Sequence, residues 1–308
     1  MYSVFFMNKK PLCRRTFIIA ATSTPLIASA LARTPVAPPQ VRLKSLEDAT
    51  KGGRLGVAIL DTAFGGVVGH RLDERFGMCS TFKLPLAAAV LHKADKGEIM
   101  LDEGIPYSKS DLVPHAPVTE PNLAKGGMTI RDLAEAAQKT SDNVAANLLL
   151  KRLGGPDAVT KLWRGWGDQI TRIDRYEPEM NRMKPGDLLD TTTPYAIATL
   201  MEKFLTGDVL KPESRNTLVR WMVDTQTGVK RLRAGLPQDW KSGDKTGTLT
   251  GLKDVGNKTN DIAIAWPPGH PPVIVTAFFE SAYQGEDIRD EDQRVLADVG
   301  RIAAGWLR

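Results

Sequence analysis

Segments with strand character occur at both ends of this chain, and a long helical stretch separates them. A sheet that uses strands from both ends must be assembled from distant parts of the chain, so the pattern predicts one lobe made of residues 33–78 and 223–308 and a helical lobe made of residues 79–222. The predicted strands are 54–60, 66–71, 245–250, 261–266 and 273–279. The predicted helices include 84–96, 130–140, 143–153, 194–205 and a last helix over 291–307.

The excess of basic over acidic residues in this chain is concentrated at its amino-terminal end. The 308 residues carry 41 Lys and Arg against 36 Asp and Glu, with a sequence pI of about 9.1. Residues 1–32 contain Lys9, Lys10, Arg14 and Arg15 and no acidic residue, which leaves the rest of the chain close to neutral. A nearly neutral mature chain lacks the excess of positive charge that is typical of nucleic-acid-binding proteins, so no nucleic-acid partner is expected.

The same amino-terminal segment resembles an export signal of the twin-arginine type. Arg14 and Arg15 precede a short apolar stretch, 18–31, and the small residues Ala30 and Ala32 would lie just before a cleavage site. We expect residues 1–32 to be removed on export to the periplasm or the medium, which leaves no stable membrane association. An uncleaved membrane anchor is the alternative, but the apolar stretch is short and interrupted for a spanning helix.

Cysteine and histidine usage argues against disulfide and zinc chemistry. Cys13 would leave with the signal, so Cys79 would be unpaired in the mature chain. The four histidines are scattered without ligand spacing, and we expect neither a metal nor a cofactor.

A serine and a lysine stand three residues apart at the start of an apolar helix, in Ser80-Thr81-Phe82-Lys83. At this spacing the two side chains share a helix face, and a partly desolvated lysine can accept the serine proton. Ser242 and Lys245 have the same spacing, but they lie in a strand-like run where they point to opposite faces. The alternative for Ser80 is a helix N-cap.

Three further short motifs are unremarkable one at a time. Ser141-Asp142-Asn143 precedes a helix and has the composition of a cap. Lys245-Thr246-Gly247 lies in a strand, where its glycine permits a close approach to the backbone. Glu177-Pro178-Glu179-Met180-Asn181 lies in 173–190, a long segment without periodicity of the kind that is usually functional or disordered.

In this order, the four motifs resemble those of the class A serine β-lactamases, whose signature includes S-x-x-K, S-D-N and K-T-G. The resemblance extends from about residue 42 to the final helix. It implies an α+β fold, the two-lobed fold of serine β-lactamases and penicillin-binding proteins, with an antiparallel sheet flanked by helices, an all-helical lobe and the active site between the lobes. It also implies a monomeric hydrolase whose partner is a small β-lactam.

The resemblance assigns the chemical steps to particular residues. Ser80 would attack the lactam carbonyl, the backbone amides of Ser80 and Thr248 would form the oxyanion hole, and Ser141 would deliver a proton to the departing nitrogen. Either Lys83 or Glu177 would act as the acylation base, a point that is disputed for the family.

Substrate binding and release are implied in the same way. Asn143 would hold the substrate's side-chain amide, and His115 stands where the family has an aromatic residue bordering the site. Glu177 and Asn181 would activate the hydrolytic water. The substrate carboxylate would bind to Lys245, Thr246, Gly247, Thr248 and Arg231.

Other features of the resemblance concern the rims of the site. Arg175 and Asp190 resemble a pair that braces the 173–190 segment, and a surface ion pair is the alternative. Leu249 stands where a carbapenem-hydrolysing subset has a cysteine, so Cys79 is expected to be a buried free thiol. The connection 250–258 is longer than is usual in the family, and it is expected to border the site.

Two rival functions share part of this pattern. A D-Ala-D-Ala carboxypeptidase or other penicillin-binding protein would have the serine, lysine and K-T-G elements but not the water site of Glu177 and Asn181. A non-hydrolytic β-lactam sensor would be acylated and stay acylated, which also requires an absent or disabled Glu177.

Overall fold

A five-stranded antiparallel sheet organises the chain. The computed structural model describes residues 37–184, 186–253 and 255–307, and the export signal predicted over 1–32 lies outside them. The sheet has the order β2-β1-β9-β8-β7, so strands from both ends of the chain share one sheet, as predicted, and the two sets meet where β1 pairs with β9. Its members are β1 (Arg54–Asp61), β2 (Gly66–His70), β7 (Lys241–Leu249), β8 (Asn257–Trp266) and β9 (Val273–Ser281). Two short pairs, β3 with β6 and β4 with β5, have the bounds Phe76–Gly77, Thr191–Thr192, Gly104–Pro106 and Gly127–Thr129.

Helices cover both faces of this sheet. Those predicted from periodicity are confirmed to within a few residues. The helices are α1 (Pro39–Ala49), α2 (Lys83–Asp95), α3 (Ile130–Lys139), α4 (Asn143–Arg152), α5 (Pro156–Gly165), α6 (Pro194–Leu205), α7 (Pro212–Val223), α8 (Leu232–Gly235) and α9 (Asp290–Trp306). The sequence reading did not identify α5 and α7, although each begins with a proline, which is favoured in the first helical turn.

The alternation of side chains along the strands produces two cores. On β1, Leu55, Val57 and Ile59 pack with residues of α1 and α9. Ala58 and Leu60 of the same strand face the larger core, which the other helices supply. Because both faces are buried, β1 and β9 each contain a continuous apolar run, residues 55–60 in β1 and 273–275 in β9.

The start of β8 was placed wrongly from the sequence. The strand begins at Asn257 and not at residue 261, so the connection after β7 is shorter than the predicted 250–258. The first four residues of β8 are polar yet buried, because partners within the fold satisfy them. Asn260, for example, donates from Nδ2 to the carbonyl of Gly77 at 2.8 Å. Apolar patterning cannot detect a strand of this kind.

Residues 37–307 form one compact unit. The division into two lobes therefore stays a prediction, whereas the α+β class and the antiparallel sheet are confirmed. Within the described ranges, no helix is both long and apolar enough to cross a bilayer.

A buried carboxylate attaches α1 to the sheet. Glu47 accepts hydrogen bonds from Arg71 at 2.7 Å and from the amide of Leu55 at 2.8 Å. Burial alone raises the pKa of Glu47, but these hydrogen bonds outweigh it and lower the pKa from the ordinary 4.5 to about 2. The ionised form is thus favoured in the folded state.

We expect Glu47→Gln to lower the free energy of unfolding by about 1–3 kcal/mol at pH 7. Since the folded pKa is the lower one, this stabilisation is complete above about pH 4.5 and is lost as the pH falls towards 2. Urea denaturation at pH 7 and pH 3 measures both effects. Glu74→Gln, at an exposed partner of Arg71, is the control and should cost less than about 1 kcal/mol. An equal loss at both pH values for Glu47→Gln would contradict the assignment.

Candidate active site

The predicted nucleophile lies in a single turn of 3-10 helix, Cys79–Phe82, directly before α2. Lys83 is the first residue of α2, and its Nζ donates to Ser80 Oγ at 2.8 Å. Neither turn nor helix is capped by Ser80, so the N-cap alternative is wrong. Cys79 has a positive φ of 47°, an unusual conformation for a residue other than glycine.

Lys83 is fully buried and connects three segments of the chain. Besides Ser80, its Nζ donates to the carbonyl of Ser141 at 2.8 Å and to Asn143 Oδ1, and it lies 3.1 Å from Glu177 Oε1. Burial lowers the pKa of Lys83 below that of an ordinary lysine, and Glu177 opposes this effect. A lysine in this state can exchange a proton with Ser80.

The turn before α4 serves two purposes. Asp142 is the N-cap: its carboxylate accepts from the Ala145 amide at 2.9 Å and from the Thr119 amide at 2.9 Å. Its neighbours Ser141 and Asn143 face the site instead. Asp142 is therefore a helix cap, as the composition of the triplet suggested. Ser141 and Asn143, on either side of it, lie where they can take part in the reaction.

Ser141 Oγ lies between two amines. Lys245 Nζ donates to it at 3.0 Å, and Lys83 Nζ lies at 3.4 Å. Ser141 has a φ of 64°, so its backbone is held in a rarely populated conformation. The hydroxyl can thus pass a proton along a line of polar groups.

Lys245 lies on β7, which is the edge strand of the sheet. It is fully buried, and its pKa is well below the ordinary value because of this burial and the nearby Lys83. Gly247 lets β7 pass close to the serine turn, since a Cβ there would lie 2.6 Å from the Met78 carbonyl. An edge strand leaves alternate backbone amides without a partner strand, and these can bind a ligand.

Arg231 supplies a second buried cation beside β7. Its guanidinium donates to Thr248 Oγ1 at 2.7 Å and to the carbonyls of Gly247 and Asn260 at 3.0 and 2.7 Å. Burial lowers the pKa of Arg231, but a guanidinium is so strong a base that Arg231 stays charged at neutral pH. Thr246 Oγ1 lies 2.8 Å from Thr227 Oγ1 on the same side.

Glu177 reaches the serine from the 173–190 segment, whose described residues contain no α-helix and a single 3-10 turn, Glu179–Asn181. Ser80 Oγ lies 3.3 Å from Glu177 Oε1, and Asn181 Nδ2 donates to Oε2 at 2.5 Å. The peptide bond between Glu177 and Pro178 is cis. A carboxylate and an amide beside a serine hydroxyl form a suitable site for a water molecule.

Asn147 holds Glu177 in place, a role that the sequence reasoning did not assign. Its side-chain amide exchanges two hydrogen bonds of 2.9 Å with the backbone of Glu177. The signal was available, since Asn147 is a polar residue inside the apolar helix α4. An asparagine buried in a helix needs partners outside that helix.

Asp190 and Arg175 brace the ends of this segment. Asp190 is fully buried; its Oδ1 accepts from the Asp174 amide at 2.7 Å, and its Oδ2 accepts from Arg175 Nε at 2.6 Å. The pair is therefore not a surface ion pair. Burial raises the pKa of Asp190, although the hydrogen bonds act in the opposite direction. The backbone carbonyl of Asp190 also accepts from the Met78 amide at 3.2 Å, which ties the segment to the serine turn.

His115 borders the site as an exposed loop residue with a φ of 66°. Its Nε2 lies 3.0 Å from the carbonyl of Thr140, and its own carbonyl accepts from the Asn143 amide at 2.9 Å. Asn143 Nδ2 in turn donates to the Pro114 carbonyl at 2.8 Å. The loop of His115 is thus bonded to the turn of Ser141 at three points.

Most of the predicted site residues line one cleft of about 400 Å³, whereas Lys83, Lys245 and Gly247 are not among its lining residues. No described residue of the connection after β7 lines the cleft, whereas Ile288 and Gln293, which the sequence reasoning missed, do. A larger cavity of about 570 Å³ beside α3 contains none of the predicted site residues. The lining of the cleft consists of Ser80, His115, Ser141, Asn143, Glu177, Asn181, Thr227, Gly228, Arg231, Thr246, Thr248, Ile288 and Gln293.

Cys79 is a buried free thiol. Burial raises its pKa to about 12, so it is not a nucleophile at neutral pH. Within the described residues, no group of three or more His, Cys, Asp or Glu side chains is arranged to hold a metal ion.

Comparisons with known proteins are consistent with this geometry. A model of the Beta-lactamase enzyme family matches residues 38–307. Beta-lactamase L2 of Stenotrophomonas maltophilia is 43% identical over 294 residues, which cover 93% of this chain and 94% of that protein. Beta-lactamase CTX-M-97 of Escherichia coli is 41% identical over 296 residues, or 96% of this chain and 98% of that protein.

Solved structures give the same result. An ancestral class A β-lactamase superposes with a TM-score of 0.81 at 51% identity, covering 87% of this chain and 99% of that structure. A β-lactamase from Xanthomonas campestris also has a TM-score of 0.81, at 44% identity, with coverage of 88% and 97%.

We expect Asp190→Asn to loosen the 173–190 segment, because an amide cannot accept all the hydrogen bonds that the carboxylate accepts. The free energy of unfolding should fall by about 2 kcal/mol. Hydrogen exchange of residues 174–182, followed by mass spectrometry, should become faster. Asp187→Asn, at an exposed position of the same segment, should leave this exchange unchanged. If residues 174–182 of Asp190→Asn exchanged hydrogen at the same rate as in the parent protein, Asp190 would not be the residue that braces the segment.

Proposed function

The chain belongs to the class A serine β-lactamases, and on that premise we propose how its residues divide the steps of the reaction. The enzyme hydrolyses the amide bond of β-lactam antibiotics through a serine acyl-enzyme and so confers resistance. The single observation that carries the residue roles is the position of Glu177. Its carboxylate contacts Ser80 Oγ, Lys83 Nζ and Asn181 Nδ2 at once.

Acylation begins at Ser80. Oγ forms a bond to the lactam carbonyl carbon while its proton passes to a base. Lys83 and Glu177 both contact Oγ, at 2.8 and 3.3 Å, so both are candidates for that base. The burial that lowers the pKa of Lys83 supports the lysine, and the carboxylate of Glu177 can act directly or through a water.

The tetrahedral intermediate carries a negative charge on the former carbonyl oxygen. The backbone amides of Ser80 and Thr248 stabilise it, a role that the edge position of β7 supports. When the carbon–nitrogen bond breaks, the nitrogen takes a proton from Ser141 Oγ. Lys83 and Lys245, on either side of that hydroxyl, replace the proton.

Substrate contacts divide between two sides of the cleft. On the side of β7, the carboxylate of the β-lactam binds beside the cations Lys245 and Arg231, with donors from Thr246 and Thr248 and with Gly247 allowing close approach. On the opposite side, Asn143 binds the amide of the substrate's side chain, and His115 borders that position. The two cations also attract anionic substrates into the cleft.

Deacylation distinguishes this enzyme from its rivals. Glu177, oriented by Asn181, takes a proton from a water that attacks the ester carbonyl; the ester carbon–oxygen bond breaks, and Ser80 Oγ regains a proton. A D-Ala-D-Ala carboxypeptidase or a β-lactam sensor would have no such carboxylate in position. The hydrogen bonds from Asn147 to the Glu177 backbone favour hydrolysis.

We further propose that the mature protein acts as a monomer in the periplasm or the medium. The paired arginines, the apolar stretch and the small residues before position 33 support export by the twin-arginine route. Amino-terminal sequencing of exported protein should begin at residue 33, and a chain beginning before Ala32 would contradict this cleavage site. Sedimentation of the same material at micromolar concentration should give the mass of one chain.

The roles of Ser80 and Glu177 are separable in one experiment. We expect purified parent protein to change the colour of nitrocefin rapidly and to show no persistent adduct by mass spectrometry. Glu177→Gln should still be acylated by penicillin, but its steady-state turnover should fall by about a thousand-fold, with the acyl group accumulating on Ser80.

Two variants control this measurement. Ser80→Ala should show neither turnover nor adduct. Glu179→Gln, at an exposed carboxylate two residues away, should behave as the parent. Undiminished turnover in Glu177→Gln would remove Glu177 from deacylation, and a persistent adduct on the parent protein would favour the sensor.

A further inference from the structure

His115 is a titratable side chain at the mouth of a cleft whose substrates are anions. It lines the cleft with Ser141 and Asn143 and is exposed to solvent. Its one side-chain hydrogen bond among the described residues joins Nε2 to the Thr140 carbonyl at 3.0 Å. The catalytic steps described above do not use its imidazole.

The hydrogen bond to Thr140 determines what protonation does to the ring. A carbonyl oxygen only accepts, so Nε2 must carry a hydrogen. In the neutral ring Nδ1 is then an acceptor, and in the imidazolium both nitrogens are donors. Protonation therefore preserves the Thr140 bond, converts Nδ1 from an acceptor into a donor, and adds one positive charge to the cleft.

The charges around His115 leave this added charge uncompensated. Glu177 and Arg231 line the same cleft, and Glu177 is already bound by Lys83 and Asn181. Glu120, five residues further along the loop, is exposed to solvent. Three other charged residues of the adjoining loop and turn are bonded elsewhere. Asp111 forms an ion pair with Lys151, and Lys139 forms one with Glu135. The carboxylate of Asp142 accepts hydrogen bonds from the backbone amides of Val118 and Thr119.

We propose that His115 is a specificity-determining residue whose imidazolium favours β-lactams with a second carboxylate on the acylamino side chain. The proposal rests on the function proposed above, because that function places the acylamino side chain of the substrate beside Asn143. The backbone amide of Asn143 donates to the backbone carbonyl of His115. The carboxylate common to all substrates lies on the other side, by Lys245 and Arg231. An aromatic residue could border the side chain but could not change its charge with pH.

Two penicillins that differ by one carboxylate test this directly. Carbenicillin is benzylpenicillin with a carboxylate on the side-chain α-carbon, and both substrates stay ionised above pH 5. The quantity measured is the kcat/KM of carbenicillin divided by that of benzylpenicillin, for purified parent enzyme at pH 7.5 and pH 5.5. Titrations that affect both substrates equally cancel in this ratio.

We expect the ratio to rise about three-fold as the pH falls, the size of an exposed charge pair. The rise should shrink in 1 M NaCl, where such pairs are screened. In His115→Gln, which keeps a donor for the Thr140 carbonyl but does not titrate, the ratio should be independent of pH. His270→Gln, at a histidine outside the cleft that lies near Asp61, should retain the parental rise.

A flat ratio in the parent, a rise that persists in His115→Gln, or a rise that salt does not reduce would overturn the role of His115. In each of these cases benzylpenicillin is still hydrolysed, so the proposed function stands. An enzyme that fails to hydrolyse benzylpenicillin at pH 7.5 would instead overturn both.

Discussion

The buried ammonium of Lys83 is the interaction on which the rest of the site depends. A charged group without water is costly unless polar partners surround it. Here the partners come from three segments: Ser80 in the turn before α2, Ser141 and Asn143 at the start of α4, and Glu177 from the 173–190 segment. Each partner forms a polar contact with Lys83 Nζ, and this contact also holds the partner in the position that the reaction requires. Stability and catalysis are consequently linked at one atom.

Backbone strain accompanies this arrangement at particular places. Cys79, His115, Ser141 and Asp190 all have a positive φ, and each adjoins or forms part of the site or its brace. Such conformations persist only where the surrounding contacts hold them. The hydrogen bonds of Asp190, of the Thr140–Asn143 turn and of the 78–81 turn provide those contacts. The backbone around the cleft is therefore organised before a substrate enters.

Much of the fold was predictable because its signals are local. Periodicity located α2, α3, α4 and α6, and apolar runs located the central strands. The beginning of β8 was not predictable in this way, since Asn257 and Lys258 are polar and buried beside residues distant in sequence, the Gly285 carbonyl and the Glu280 carboxylate. Ile288 and Gln293 belong to no motif, and only the packing of the chain brings them to the cleft.

The sequence by itself determined the chemistry that is present: a serine three residues before a lysine, a capping triplet, an acidic residue in an unpatterned segment, and a Lys-Thr-Gly strand, in an order that identifies the family. Tertiary structure alone decided which residues of each motif face the cleft. Asp142 turns away to cap α4 while Ser141 and Asn143 turn inward, and Asn147 is recruited to hold Glu177. Ser80 and Glu177 are 97 positions apart in sequence, and their 3.3 Å contact exists only because of how the intervening helices pack. Side chains so distant in sequence leave no local pattern, since their contact depends on the whole fold.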